Sequence, residues 1–160
     1  MGDLRVRTAE PSDRAVVTSI LTAFSGSTTV AVHGAAFEAA DLPALIAEQD
    51  GRVVGLLTYE ISDQELEVIS LNATQQRVGV GTVLLAAAVE RARQADARRV
   101  WLVTTNDNLD ALRFYQRRGM RIVGVTPGAV DASRALKPSI PLAGEYGIAL
   151  HDELTLEVQL

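Results

Sequence analysis

The apolar pattern changes period once along the chain, and that change limits the fold. Between residues 44 and 73 it alternates: "ALIAEQ", "RVVGLLTYEI" and "ELEVISLNA" each read as a strand. Asp50-Gly51 is a two-residue turn between the first two, and "SDQ" allows the second reversal. Three antiparallel strands therefore arrive in succession. The period then becomes helical. "GTVLLAAAVERARQAD" is predicted to form a helix of about four turns, with Val80, Val83, Leu84 and Ala87 on one side. "RRVWLVTT" reads as a buried strand, "NLDALRFYQRRG" as a second helix and "MRIVGVT" as another strand. A meander that runs into strand–helix units predicts an α/β fold: a mixed, mostly antiparallel sheet flanked by helices.

The flanking segments are less regular. "LRVRTA" reads as a first strand. "EPSDRAVVTSILTAF" reads as a helix started by Pro11 or Ser12, with Val17, Ile20, Leu21 and Phe24 as its apolar stripe. Residues 25–34 read as loop, "AAFEAADLPAL" as a short helix, and "PGAVDASRALKPSIPLAGEYG" as an irregular segment. "DELTLEVQL" alternates, with Leu154, Leu156, Val158 and Leu160 on one face. On the second long helix Asn108 is placed to cap the start, and Gly119 to stop it after Arg117 and Arg118. With no repeat or linker, the 160 residues are expected to form one domain, 1–160.

Composition excludes several functions. The net charge is −5, with a pI near 5.0, which argues against a nucleic-acid partner. No cysteine is present, so disulfides, thiolate nucleophiles and cysteine-ligated metals are excluded. Without companions, His33 and His151 read as surface histidines and no metal is expected. The N-terminal residues carry no secretion signal and no apolar run is long enough to span a membrane, so a cytoplasmic, membrane-free protein is expected.

The stretch "QQRVGVGTVLL" opens the long helix with Gly79 and Gly81. A dinucleotide loop would need a third glycine where Leu84 stands, and a P-loop would need a lysine, whereas the chain's single lysine is Lys137. Two readings remain. Either the glycines permit a tight strand-to-helix turn, or they also bring the helix's unpartnered N–H groups against a diphosphate.

The frame Gln76, Gly79, Gly81, followed by Asn108, Ala111, Tyr115, Gly119 and Met120 on the next helix, resembles the GCN5-related N-acetyltransferase (GNAT) family. The resemblance follows the element order of the whole chain. It implies an N-acetyltransferase that moves the acetyl group of acetyl-CoA to a primary amine by direct attack, on a small molecule or a protein. A homodimer is among the assemblies it allows. It implies that the N–H groups of Gln76, Arg77, Val78, Gly79, Val80, Gly81 and Thr82 wrap the CoA diphosphate. The Arg77 guanidinium either adds charge there or stays solvated. It further implies that the strand before the glycines splays from the next, that the Leu71 N–H meets the thioester carbonyl, and that the backbone near Ala73 pairs with the pantetheine amides. Asn108 faces pantetheine as well as capping, Glu67 takes the ammonium proton through water, with Glu65 the weaker alternative, and Tyr115 protonates the CoA thiolate. The loop holding His33 often walls the acceptor site in this family.

The residues carry these roles with varying ease. Strand alternation places Glu65, Glu67, Ile69 and Leu71 on one face, with Glu67 roughly 13 Å from Leu71. Tyr115 falls two helical turns after Asn108, Ala111 between them leaves room for a pantetheine arm, and Phe114 points about 100° away, toward the core. Two rivals use the same resemblance: a non-catalytic acetyl-CoA sensor, which the retained Tyr115 weakens, and an acyltransferase for a longer acyl-CoA. No motif identifies the acceptor, although the acidic balance favours a cation.

Overall fold

The computed structural model describes residues 3–74 and 79–160. Strands β1 (Leu4–Thr8), β4 (Ala44–Gln49), β5 (Arg52–Ser62), β6 (Glu65–Ala73), β7 (Arg99–Thr105), β8 (Arg121–Thr126) and β9 (Glu153–Gln159) form one sheet. Their order is β1-β4-β5-β6-β7-β9-β8. The meander expected between residues 44 and 73 is β4, β5 and β6, all antiparallel. β6 and β7 are parallel, which requires a crossover; helix α2 (Val80–Gln94) supplies it. The last strand in chain order, β9, inserts between β7 and β8 and runs antiparallel to both.

Three segments differ from the sequence reading. Residues 25–34, expected as loop, hold strand β2 (Thr29–Val32), and the expected short helix is instead β3 (Ala35–Glu38) followed by a 3-10 turn, Ala39–Asp41. Both strands are only four residues long, with too little alternation to signal β structure. The irregular segment begins with helix α4 (Ala129–Leu136), which buries Val130 and Ser133. Eight residues between two prolines give little periodicity to read.

The β2–β3, β4–β5 and β5–β6 connections follow one rule. Each is a two-residue loop whose residues are both left-handed: His33 and Gly34 (φ 42° and 77°), Asp50 and Gly51 (54° and 75°), Asp63 and Gln64 (52° and 61°). Positive φ at both positions matches the twist of adjacent strands.

Two layers cover the sheet. Helix α1 (Arg14–Ser25) buries Val17, Ile20 and Leu21 against Ala44, Ile46 and Leu56. Phe24, assigned to that stripe, is 47% exposed, because the helix stops at Gly26 (φ 75°) before a further turn can dock. On the opposite face α2 packs on Leu57, Leu66 and Val68. Its buried stripe is Val80, Leu84, Leu85, Ala88 and Ala92, with Val83 and Ala87 half-buried, a small rotation from the expected face. Gly55 of β5 allows the close approach, since a Cβ there would run into Val80 and Leu84. Helix α3 (Leu109–Arg117) joins the same layer through Tyr115. Leu154, Leu156 and Val158 of β9 pack into that layer too, while Leu160 lies past the strand and is 39% exposed.

Candidate active site

The sheet is open at its centre. β6 pairs with β7 only at Glu65↔Arg99, Leu66↔Val100 and Glu67↔Trp101. Beyond Glu67, β6 stays paired with β5, while β7 stays paired with β9 as far as Thr105. The two strands therefore fork, as the family resemblance implies, and Glu67 and Trp101 stand at its base. A bulge explains why β6 turns there. Thr58 pairs with Ser70 and Tyr59 with Val68, leaving Ile69 as an extra residue. A bulge bends its strand and sharpens the local twist.

The same bulge corrects the expected alternation. Glu65 and Glu67 share a face, but the inserted Ile69 shifts the phase. Leu71 and Ala73 then fall with Leu66 and Val68 on the α2 side. Glu67 and the Leu71 side chain therefore lie on opposite faces. On the Glu67 side, beyond the bulge, the Ser70 and Thr58 hydroxyls are 2.6 Å apart. Asn72 Oδ1 is buried there without a hydrogen-bond partner among the described residues.

The two carboxylates at the fork have unlike surroundings. Arg99 grips Glu65 through Nε and Nη2 at 2.9 and 3.0 Å, and also reaches Glu157 at 2.8 Å. Those hydrogen bonds hold the Glu65 carboxyl below the usual range. Glu67 is buried, with its carboxyl pushed up by desolvation against the opposing pull of a hydrogen bond from His33. Glu60, directly opposite on β5, pushes it up further. Environments that drive two carboxyls apart separate a structural ion pair from a group able to trade protons.

The Glu67 shift sets a stability test. A carboxyl raised by burial contributes stability that is present below the unfolded carboxyl's range and lost as pH rises through its own folded range. Glu67→Gln is therefore expected to raise Tm at pH 7, with the gain disappearing near pH 4; a lowered Tm at pH 7 would contradict the raised carboxyl.

His33 was expected to be a surface histidine, yet its Nε2 lies 2.6 Å from Glu67 Oε2. The β2–β3 turn, invisible as a hairpin in the sequence, carries it there; Gly34 between two short apolar runs was the available signal. His151 stays at the surface, beside Asp152.

On the other face, Gly79 and Gly81 do different jobs. Gly79 is left-handed (φ 82°), with open space where a Cβ would stand. Gly81 is a close approach: a Cβ would sit 2.9 Å from the ring of Phe114. Among the described residues, the first N–H bonded at the start of α2 is that of Val83, to Gly79 O. No side chain among the described residues caps the helix, and no acid among them sits in its first turn. The donors of Val80, Gly81 and Thr82 thus have no acceptor among the described residues, with the positive end of the helix dipole behind them. Arg118 adds a guanidinium there, donating to Thr82 Oγ1 at 2.8 Å and lying over Phe114; neither contact was foreseen. Gln76, Arg77 and Val78 lie outside the described residues.

On α3, Asn108 caps as expected, accepting from the Ala111 N–H at 3.4 Å and donating to Thr104 Oγ1 at 3.2 Å. Its neighbours hold the loop before β9: Asn106 accepts from the His151 and Asp152 N–H groups, and Asp107 from that of Glu145. Tyr115 is buried, and desolvation pushes its hydroxyl up to about 12. Phe114, expected in the core, is half-buried over Gly81 and meets Tyr115 edge to face at 5.2 Å. Tyr115 takes the deeper position because α3 rotates that side onto the α2 layer.

Among the described residues, no cluster of side chains is suited to hold a metal ion, and no helix is long and apolar enough to cross a membrane.

The model of the acetyltransferase (GNAT) family matches residues 17–120. YdhI of Bacillus subtilis (strain 168) is 38% identical over 130 residues, 81% of each chain. The streptothricin acetyltransferase of Streptomyces lavendulae is 30% identical over 118 residues, which are 68% of this chain and 62% of that one. An acetyltransferase of Bacillus subtilis solved in complex with CoA shares the fold, with a TM-score of 0.71 at 18% identity over 99% of both chains.

Proposed function

Because this chain is an acyltransferase of the GNAT family, we propose that it moves the acetyl group of acetyl-CoA directly to a cationic primary amine, with residues 1–160 as one transferase domain. The observation that carries the proposal is the fork between β6 and β7, which leaves the β6 backbone from Val68 to Ala73 without a β7 partner. A pantetheine arm has amides of the right kind to pair with such an edge, near Ala73, and Asn72 Oδ1 is one more acceptor for an N–H donor. The donors of Val80, Gly81 and Thr82 suit a diphosphate, with Gln76, Arg77, Val78 and Gly79 completing the turn in this assignment. CoA in the Bacillus subtilis neighbour supports the choice of co-substrate.

Each face of the sheet then has a task. The amine approaches from the Glu67 side, where the carboxyl groups of Glu60, Glu67 and Glu153 attract an ammonium. Glu67 takes the ammonium proton, directly or through water, and the freed lone pair attacks the thioester carbon. The Leu71 N–H stabilises the oxyanion, a role that uses backbone and leaves the Leu71 side chain free to pack. Asn108 lines the pantetheine path. The C–S bond breaks toward the α3 side, where Tyr115 donates to the departing thiolate. No group on the enzyme is acylated, consistent with a chain that has no cysteine. The relative named for streptothricin supports a polycationic acceptor.

The test combines binding and transfer. CoA and acetyl-CoA are expected to raise Tm, and acetyl-CoA is expected to release thiol only with a cationic amine such as streptothricin or spermidine. Glu67→Gln is expected to slow transfer most below the amine's pKa while the acetyl-CoA Kd holds. A Tm shift with no thiol release across such a panel would point instead to a sensor, and a preference for longer acyl-CoAs would correct the donor.

A further inference from the structure

The β2–β3 hairpin reaches over the sheet and places an imidazole on the buried carboxylate. Its tip is fixed from several directions. The His33 backbone N–H donates to both oxygens of Glu153, at 3.1 and 3.2 Å. The ring lies 5.5 Å from that of Trp101 and meets Phe37 edge to face at 5.7 Å. Glu153 is itself buried and accepts from Ser133 Oγ of α4 at 3.5 Å. The left-handed backbone of His33 is thus held by a carboxylate from the last strand, and its side chain by two rings. A solvated turn histidine needs none of these contacts.

Exposure gives the pair a direction. The His33 side chain is 32% exposed and that of Glu67 is 9% exposed. Among the described residues, His33 makes the one side-chain hydrogen bond to Glu67, and it holds one oxygen, Oε2. Oε1 is left for the amine or a water. A buried carboxyl that takes a proton at every turnover must also pass it on, and the imidazole lies between this one and solvent.

We propose that His33 relays the ammonium proton from Glu67 to water, so that the hairpin's imidazole and the sheet's carboxylate act as one proton-transfer unit. This rests on the transferase assignment with Glu67 as first acceptor. One proton arrives on Glu67 Oε1 from the amine. The proton shared between Oε2 and Nε2 moves onto the ring, and Nδ1 releases one to water. The pair holds the same number of protons before and after, and carboxyl and ring rotation resets it. Imidazole suits the step because it has two ring nitrogens, one able to accept a proton while the other releases one. Among the described residues, the charged groups around the pair are Glu60 opposite Glu67, Glu153 under the hairpin tip, and Arg99, which pairs with Glu65 and Glu157.

His33 acts through Glu67, so the test needs readouts that mere support of the fold would not move. Wild type, His33→Ala, His33→Gln and Glu67→Gln are compared with acetyl-CoA and streptothricin or spermidine, at low and high buffer concentration. His33→Ala is expected to lose about tenfold in kcat in dilute buffer, a share of what acid–base groups typically supply. Its acetyl-CoA KM should be unchanged, and added imidazole should restore the rate. His33→Gln keeps a hydrogen bond to Glu67 without a titratable ring; it should show the same loss and depend on buffer concentration. A CoA-induced Tm shift equal to wild type marks each variant as folded, and His33→Gln carries the test if the alanine variant is not. Wild-type kcat in His33→Gln, or a loss indifferent to buffer and imidazole, would overturn the relay. Wild-type transfer rates in Glu67→Gln would instead remove the first acceptor, a separate result that fails the underlying assignment.

Discussion

Tyr115→Phe is expected to lower turnover by about 10²-fold while acetyl-CoA still binds. The hydroxyl is pushed up to about 12, so it is protonated at any working pH. It is also a weaker acid than a thiol, whose ordinary value is about 8.5. Full transfer to a thiolate in water would run uphill. Burial, however, raises a thiol as it raises a phenol. In the proposed mechanism the donor is therefore matched to a leaving group that develops charge beside it, and its hydrogen bond strengthens as the C–S bond stretches. The substitution is clean. Burial is the cause of the shift, and among the described residues the hydroxyl has no hydrogen-bond partner that removing the oxygen would strand. Tm should hold or rise. Wild-type kcat in the folded variant, measured where chemistry limits the rate, would remove Tyr115 from the mechanism.

The second large effect is expected at Gly79. Gly79→Asp should weaken CoA binding by at least about tenfold, as charge-assisted hydrogen bonds to the diphosphate are lost. A like charge is one cause and backbone strain at φ 82° is another. Gly79→Asn separates them. Asn tolerates the left-handed region nearly as Asp does and has the same shape, so the Asp-to-Asn ratio of Kd isolates charge. That ratio should shrink with added salt. Equal Kd values for the two variants at low salt would place the diphosphate elsewhere. Gly81 is a poorer site for the experiment, because a side chain there drives into Phe114 before it meets any ligand.

The contrast between those glycines shows what a sequence can disclose. The motif announces a turn that needs small residues, but only packing reveals that one serves backbone conformation and the other a ring from α3. The meander, α2, β7, α3 and β8 were readable because each has a long apolar period or a clear cap such as Asn108. The β2–β3 hairpin was not, since Ala and Val over four residues alternate too weakly, and His-Gly is an unusual two-residue turn. Missing that hairpin hid the partner of Glu67. The bulge at Ile69 was equally silent: alternation extrapolated through it placed Glu67 and Leu71 together, and one extra residue separates them. The Arg99–Glu65 pair, which leaves Glu67 as the carboxylate free to exchange protons, is a contact between residues 34 apart in sequence.

β9 holds the far wall of the fork. β7 has three paired positions with β6 and seven with β9, and β8 joins the sheet through β9. The strand also brings Glu153, which fixes His33 across 120 residues of chain. At about 5–20 residues per second, a ribosome takes about 6–24 s to travel from one to the other. Through that interval β6 has β5 to pair with, but the opposite wall and the hairpin tip have no anchor. A nascent chain can thus complete its meander while the fork is still a bare strand edge, open to any other unpaired strand within reach.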